Sequence, residues 1–176
     1  MTAMTHPDMT TGDIDSFRQE IYGYYSLHKR PMPWRETNDP YRILVSEFML
    51  QQTQVERVLT KFPPFVEQFP DFSNLSAAPL REVLGLWQGL GYNRRAMSLH
   101  ASAQIVINDH GGILPDSEPE LVRLPGIGQA TAGAIMAFAF SRPVIFIETN
   151  IRRVFIHFFF KDASAVSDSE IFPLVH

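Results

Sequence analysis

The chain has 176 residues, 45% of them hydrophobic and 19% charged, which suits one folded domain or two small lobes sharing a core and excludes a disordered chain. The absence of cysteine excludes disulfides, thiolate metal sites and a cysteine nucleophile; the histidines at 6, 28, 100, 110, 157 and 176 are too scattered for a zinc site; and no uncharged apolar run is long enough to span a membrane. The formal net charge of −4 is unusual for a nucleic-acid binder, but Arg94-Arg95, Arg152-Arg153 and the group Lys29, Arg30 and Arg35 are local basic clusters, readable as phosphate contacts or as solvated helix faces.

Residues 1–12 are polar, with no basic start and no apolar stretch, and read as a disordered tail rather than a signal peptide. Asp13 and Asp15 precede Phe17, Ile21, Tyr24, Tyr25 and Leu27, an N-cap followed by helical spacing. Pro31-Met32-Pro33-Trp34 breaks that helix and Asn38-Asp39-Pro40 restarts the chain. Helices are predicted over 41–51 and 54–62, an interruption at Pro63-Pro64, and a short helix through Phe65–Phe69. Leu80–Trp87 is helical and ends at Gly89-Leu90-Gly91. Tyr92–Asp109 is a long helix stopped by Gly111-Gly112. Glu118–Arg123 leads into a turn, a helix follows to Phe140, Arg142-Pro143 closes it, and Thr149–Phe160 forms another. Strand alternation is missing, so the class is all-α with short connections. Ala132–Phe140 and Ile151–Phe160 read as fully buried, nearly apolar all round. The residues after Phe160 offer thin cover, so a truncated second lobe or a covering partner is expected.

Chemistry concentrates in four places. Leu124-Pro125-Gly126-Ile127-Gly128-Gln129-Ala130-Thr131 reads as a tight turn opening a helix, whose first amides and dipole can hold a phosphate without a side-chain charge; the alternative is a ligand-free corner. In Ser46-Glu47-Phe48-Met49-Leu50-Gln51-Gln52-Thr53, Glu47 stands among apolar neighbours. Desolvation there would keep its proton to higher pH, as a general acid requires; the alternative is a surface or capping glutamate. In Trp87-Gln88-Gly89-Leu90-Gly91-Tyr92-Asn93-Arg94-Arg95, Tyr92 offers a flat face for a base and the arginines offer phosphate contacts, or the segment is a packing turn. After Pro143–Ile147, Glu148 and Asn150 precede Arg152-Arg153, either as chemical groups or as the acidic start that a helix dipole favours.

Taken together these segments resemble the helix–hairpin–helix DNA glycosylases, most closely the adenine-releasing branch. The resemblance runs from about Trp34 to Asn150. It rests on Pro33-Trp34-Arg35, Asp39-Pro40-Tyr41, Ser46-Glu47, Met49-Leu50-Gln51-Gln52-Thr53-Gln54-Val55, Gly89-Leu90-Gly91-Tyr92, His110-Gly111-Gly112, Leu124–Gly128, Thr131-Ala132-Gly133-Ala134-Ile135, and Asn150 with Arg153-Val154. It implies a two-lobed helical fold and double-stranded DNA as partner. Glu47 matches the acid that protonates a flipped adenine. Gln52 and Tyr92 match residues that wedge into the duplex. Arg30, Trp34, Arg35 and Leu50 fall where the base pocket is lined. Gly126, Ile127 and Gly128 match the phosphate-binding hairpin, which in the family often also holds a monovalent cation; Gln129, Thr131 and Arg94 accompany it as DNA contacts. Asn150 matches a residue that helps place the second carboxylate and the attacking water.

The resemblance has departures. The second carboxylate is an aspartate in the family and Glu148 here. One more methylene moves a carboxylate by roughly 1 Å, and misplacement on that scale can cost on the order of 100-fold. Ala130 replaces the lysine of the lyase members, which implies a monofunctional hydrolase. The family's iron–sulfur cluster needs four cysteines, and these residues hold none. The expected function is removal of adenine mispaired with 8-oxoguanine or guanine in base excision repair, by a monomer with no metal site among its side chains, cytoplasmic and nucleoid-associated. A non-catalytic DNA-binding remnant and a glycosylase for another mismatched or damaged base are the alternatives. The expected division is a lobe of 13–37 with 143–176, and a helical barrel over 38–142 with the hairpin at 118–140.

Overall fold

A computed structural model describes residues 11–160 and 165–175. They form ten α-helices and one short 3-10 helix, with no strand among the described residues, as the all-α reading requires. Most of the tail expected over 1–12 lies outside the described residues; Thr11 and Gly12 open the first helix. The chain divides into two compact units, residues Met32–Phe146 and the two flanks up to Pro31 and from Ile147.

The unit Met32–Phe146 opens with the 3-10 helix Pro33–Arg35 and then α2, Pro40–Leu50, the first helix of the chain (α1) being Thr11–His28. Asp39 caps α2 by accepting the Tyr41 amide at 3.0 Å, and Pro40 suits the first helical position because no partner is needed for its missing N–H. α3 is Val55–Gln68, α4 Phe72–Ala77, α5 Leu80–Trp87, α6 Arg94–His110, α7 Glu118–Leu121 and α8 Gln129–Phe140. α2 packs against α3, α6 and α8, so its Ile43, Leu44, Val45, Phe48 and Met49 are buried almost all round. Phe62 and Phe65 from α3 and Trp87 from α5 fill the same core, with Phe65 edge-on to Trp87 at 5.9 Å. Gly111 ends α6 with φ +61°, and the Gly112 amide closes back on the Val106 carbonyl at 2.9 Å, the left-handed stop that the glycine pair signals.

Two expectations are corrected. Pro63 and Pro64 do not interrupt the chain: α3 runs through both. Each proline forfeits one helical hydrogen bond, but both lie on the exposed side while Phe62, Phe65 and Val66 anchor the other side in the core. Ala132–Phe140 is buried only to Met136; Phe138 is 52% exposed and meets Phe146 edge-on at 6.4 Å.

The other unit holds α1, α9 (Thr149–Phe159) and α10 (Asp168–Val175). Phe17 of α1 sits within 5.0–5.5 Å of the Phe155, Phe158 and Phe159 rings. Arg152 pairs with Asp168 and donates to the Val166 carbonyl, tying α9 to the start of α10. α9 carries no buried residue, against the expectation of burial on every side. Arg153 and His157, four residues apart, form an exposed polar strip that makes the helix amphipathic.

Tyr41 stitches the core to the α3–α4 corner: its hydroxyl donates to the Phe69 carbonyl at 2.5 Å, and its ring meets Phe72 edge-on. Burial first, then the carboxylates of Asp71 and Asp39, raise the phenol above its ordinary value. A proton held more tightly in the folded state stabilises fully below the unfolded value of about 10, and that contribution is lost as pH rises above it. Tyr41→Phe leaves the Phe69 carbonyl without its donor and is expected to lower stability by about 1–3 kcal/mol at neutral pH. Urea unfolding from pH 7 to 11 should show the difference between wild type and variant shrinking above pH 10.

Candidate functional site

Glu47 lies in the last turn of α2, half-buried between the buried Ser46 and Phe48. Leu50 ends the helix, half-buried against the core. The chain then turns out through Gln51-Gln52-Thr53. Gln52 is exposed with φ +53°, a left-handed conformation unusual for a side chain of its size. A second exposed tip follows α5: Tyr92, 65% exposed, with φ +49°. A bulky residue in this region stores strain of order 1–3 kcal/mol unless its surroundings hold it there.

Arg95 is what holds both tips. The sequence reading placed it with Arg94 as a phosphate contact; Arg94 is exposed at the start of α6, but Arg95 turns inward. Its Nη1 donates to the carbonyls of Phe48 at 2.9 Å, Met49 at 3.1 Å and Gln51. Its Nη2 donates to Thr53 Oγ1 at 2.9 Å and to the carbonyls of Leu90 and Gly91, both at 3.2 Å. The guanidinium lies over the Trp87 and Tyr92 rings, 5.7 and 5.5 Å from their centroids. Trp87 Nε1 donates to the Gly91 carbonyl at 3.2 Å, so the second loop is tied to a core side chain as well. A helix C-terminus exposes carbonyls that a cation satisfies, and only the planar fork of arginine presents enough donors to serve two loops at once.

The hairpin between α7 and α8 joins the same place. Gly126 has φ +82°, and a Cβ there would stand 2.8 Å from both the Phe48 ring and Ser98 Cβ. The glycine is needed for backbone angle and for space. Gln51 Nε2 donates to the Gly126 carbonyl at 3.2 Å and lies 3.4 Å from Thr131 Oγ1, while Ser102 donates to the Pro125 carbonyl at 3.0 Å. Ile127 is buried and pins the turn; Gly128 and Gln129 are exposed and Thr131 half-buried. Gly128 is the N-cap of α8 and brings no capping side chain. The first helical bond of α8 runs from Ala132 to the Gly128 carbonyl, so the amides of Gln129, Ala130 and Thr131 precede it and stand at the positive end of the helix dipole.

Glu47, Leu50, Gln52, Tyr92, Arg94 and the hairpin therefore belong to one unit. Trp34 is in that unit too, but only 5% exposed, edge-on to Phe62 at 5.4 Å; Arg35 beside it is exposed. Arg30, Glu148 and Asn150 belong to the other unit. Glu148 is the N-cap of α9: its Oε1 accepts the Asn150 and Ile151 amides, each at 2.9 Å, and its Oε2 lies 3.4 Å from Asn150 Nδ2. Among the described residues no group of three or more His, Asp or Glu is arranged to hold a metal ion, and no helix is long and apolar enough to cross a membrane. The roles of Arg95 and Gln51 as internal ties are what sequence reasoning missed; the signal for each was a polar residue directly after an apolar helical run or beside a glycine loop.

The sequence matches the family model of HhH-GPD superfamily base excision DNA repair proteins over residues 45–171. It is 40% identical over 144 residues to an adenine DNA glycosylase of Buchnera aphidicola subsp. Baizongia pistaciae, covering 81% of this chain and 41% of that protein. It is 44% identical over 135 residues to an adenine DNA glycosylase of Mycobacterium tuberculosis, covering 76% of this chain and 44% of that protein. The fold is similar to that of a thermostable thymine-DNA glycosylase, with TM-score 0.78 and 32% identity over 84% of this chain and 69% of that one. The chain thus spans less than half the length of these two adenine DNA glycosylases.

The hairpin's two glycines separate cleanly by experiment. Gly126→Ala is expected to lower stability by about 1–3 kcal/mol through overpacking against Phe48 and Ser98. Gly128→Ala, with nothing within 4 Å of its Cβ and no positive φ, should cost clearly less. Guanidinium unfolding of the two variants checks the order.

Proposed function

Because the chain belongs to the HhH-GPD superfamily of base excision DNA repair proteins, we propose that it hydrolyses the N-glycosidic bond of adenine mispaired with 8-oxoguanine or guanine in double-stranded DNA. The observation that carries this reading is the course of α2: the helix that bears Glu47 runs directly into the loop that presents Gln52. The similarity to adenine DNA glycosylases supports the choice of base.

An adenine stacked in a duplex is out of reach, and turning it out costs about a few kcal/mol in stacking and pairing. Gln52 and Tyr92 are the exposed groups suited to fill the space it leaves. The first amides of α8, with Gln129 and Thr131 beside them, hold a backbone phosphate, and Arg94 adds a second contact. Glu47 then gives its proton to the leaving base as the bond between sugar and base breaks with its electron pair going to the base. The sugar is left cationic. An ionised carboxylate stabilises that cation, the part assigned to Glu148, with Asn150 helping to place the attacking water. Water adds its oxygen to the sugar carbon and its proton restores the acid. The resemblance assigns Arg30, Trp34, Arg35 and Leu50 to the base site. Ala130 offers no amine, so no Schiff base forms there. The iron–sulfur cluster of the wider family does not fit this chain, because none of its 176 residues is a cysteine; no step is assigned to it. The protein works as a monomer at DNA in the cytoplasm.

Single-turnover release of adenine from a duplex bearing adenine opposite 8-oxoguanine tests the reading. Glu47→Gln should slow release by about 10²–10⁴-fold while duplex affinity is kept; equal release by the variant would remove Glu47 from the role of acid.

Glu148→Asp should speed release by up to about 100-fold, since it restores the shorter reach. A slower rate in that variant would mean that the surroundings are adjusted to glutamate. Duplex binding with no release from either protein would leave a DNA-binding remnant. The likeness to a thymine-DNA glycosylase favours one competing reading, another mismatched base, which a panel of mismatched duplexes separates from the first.

A further inference from the structure

We propose that Arg95 is a positioning residue that couples Gln52 and Tyr92 into one rigid two-pronged element, so that the two act on DNA as a unit rather than as independent contacts. The inference rests on the glycosylase reading for its DNA partner, and on the geometry of a single guanidinium for its mechanism.

Three observations support it. The two tips come from segments about forty residues apart in sequence, and the guanidinium bonds of Arg95 go to one loop, to the other or to the end of α2. Thr53 Oγ1 lies 3.5 Å from the Leu90 carbonyl and accepts from Arg95, so a direct contact between the loops crosses the same point. Both tips are held at positive φ, although neither is a glycine. A left-handed Tyr92 left alone would relax to a commoner conformation and lose the direction of its ring. Arg95 opposes that relaxation twice, through the Gly91 carbonyl just before Tyr92 and through the face of the ring itself. On the other loop it grips Gln51 and Thr53, the residues on either side of Gln52. Neither Gln52 nor Tyr92 can therefore shift without straining the anchor of the other.

Lysine in place of Arg95 keeps the positive charge at the end of α2 but presents one compact ammonium instead of a fork. Two readouts test the coupling in Arg95→Lys. The first needs no DNA: ¹⁵N relaxation of the Gln52 and Tyr92 amides should give order parameters near 0.85 in the parent, and both should fall together below about 0.6 in the variant while core amides are unchanged. The second is a double-mutant cycle on duplex affinity, using Gln52→Ala and Tyr92→Ala in a Glu47→Gln background so that no base is released. With Arg95 present, either single change should forfeit most of the wedge, so that the double variant binds at least fivefold more tightly than the two separate losses multiplied together would give. In Arg95→Lys that departure should fall to within twofold of none. A general loss of stability would weaken all variants alike and leave the coupling in place.

If Arg95→Lys does not fold, Thr53→Val removes one acceptor, keeps Arg95, and should lower the coupling in the same sense. Coupling that is absent from the parent, or unchanged in both variants, overturns the proposal. Rigid, Arg95-dependent tips on a protein with no duplex affinity would overturn the glycosylase reading instead.

Discussion

The structure depends on the capture of bare helix-end carbonyls by Arg95. α2 ends by running into an exposed loop and leaves carbonyl groups with no partner inside its own helix; Arg95 bonds those of Phe48 and Met49 together with the loop carbonyls of Gln51, Leu90 and Gly91. A charged donor inside a half-buried site bonds these groups more strongly than a neutral one. Burial lowers the guanidinium somewhat from its ordinary value, and its Nε is buried with no hydrogen-bond partner. That desolvation is offset by the donors of Nη1 and Nη2, all engaged, and by the two aromatic faces. Because Trp87 is fully buried against Phe65 and supports both Arg95 and Gly91, the surface loops inherit the rigidity of the core.

The last turn of α2 is the junction of everything else. Phe48 supports Gly126 with its ring and gives its carbonyl to Arg95, so one residue touches both the hairpin and the clamp. Gln51 extends the link to Gly126 and Thr131. Glu47 precedes Phe48 directly, and its backbone position is set by the same turn, with the Gln51 amide bonded to its carbonyl at 3.3 Å. Packing density does the rest. A side chain cannot be inserted at Gly126, nor at Gly133, where a Cβ would stand 2.6 Å from Phe146, without moving its neighbours.

What the sequence made legible follows from how local each signal is. The glycine hairpin, the stop at Gly111-Gly112 and the Asp39-Pro40 start are local rules of backbone angle and capping, and each stands where the residues point. Apolar spacing located most of the helices for the same reason, but not the short α4 and α10, which no spacing marked. Arg95 was not legible because a basic pair at a helix start looks the same whether it meets solvent or carbonyls from a helix over forty residues earlier; only the tertiary fold distinguishes Arg94 from its neighbour. Pro63 and Pro64 misled because a local breaker lost to the burial of Phe62, Phe65 and Val66. The burial of α9 was overestimated because its aromatic residues were weighed without the strip of Arg153 and His157. Trp34, grouped with the base pocket by resemblance, is held in the core by Phe62, a partner that no motif names.

Glu148 shows how a helix start can fix the direction of its own carboxylate. As a helix start, it is well built: an anion beside the first amides of α9 is favoured by the dipole and accepts two backbone hydrogen bonds from Oε1. The side chain folds back over its own helix end from an extended backbone at φ −113°. The cap fixes the orientation of the carboxylate through backbone amides rather than through mobile side chains. The same bonds withdraw electron density from Oε1 and leave Oε2, beside Asn150 Nδ2, as the oxygen with acceptor capacity to spare. A carboxylate with Oε1 held by two amides and Oε2 beside Asn150 Nδ2 keeps one orientation. Loss of the cap would therefore misplace the charge as well as fray α9.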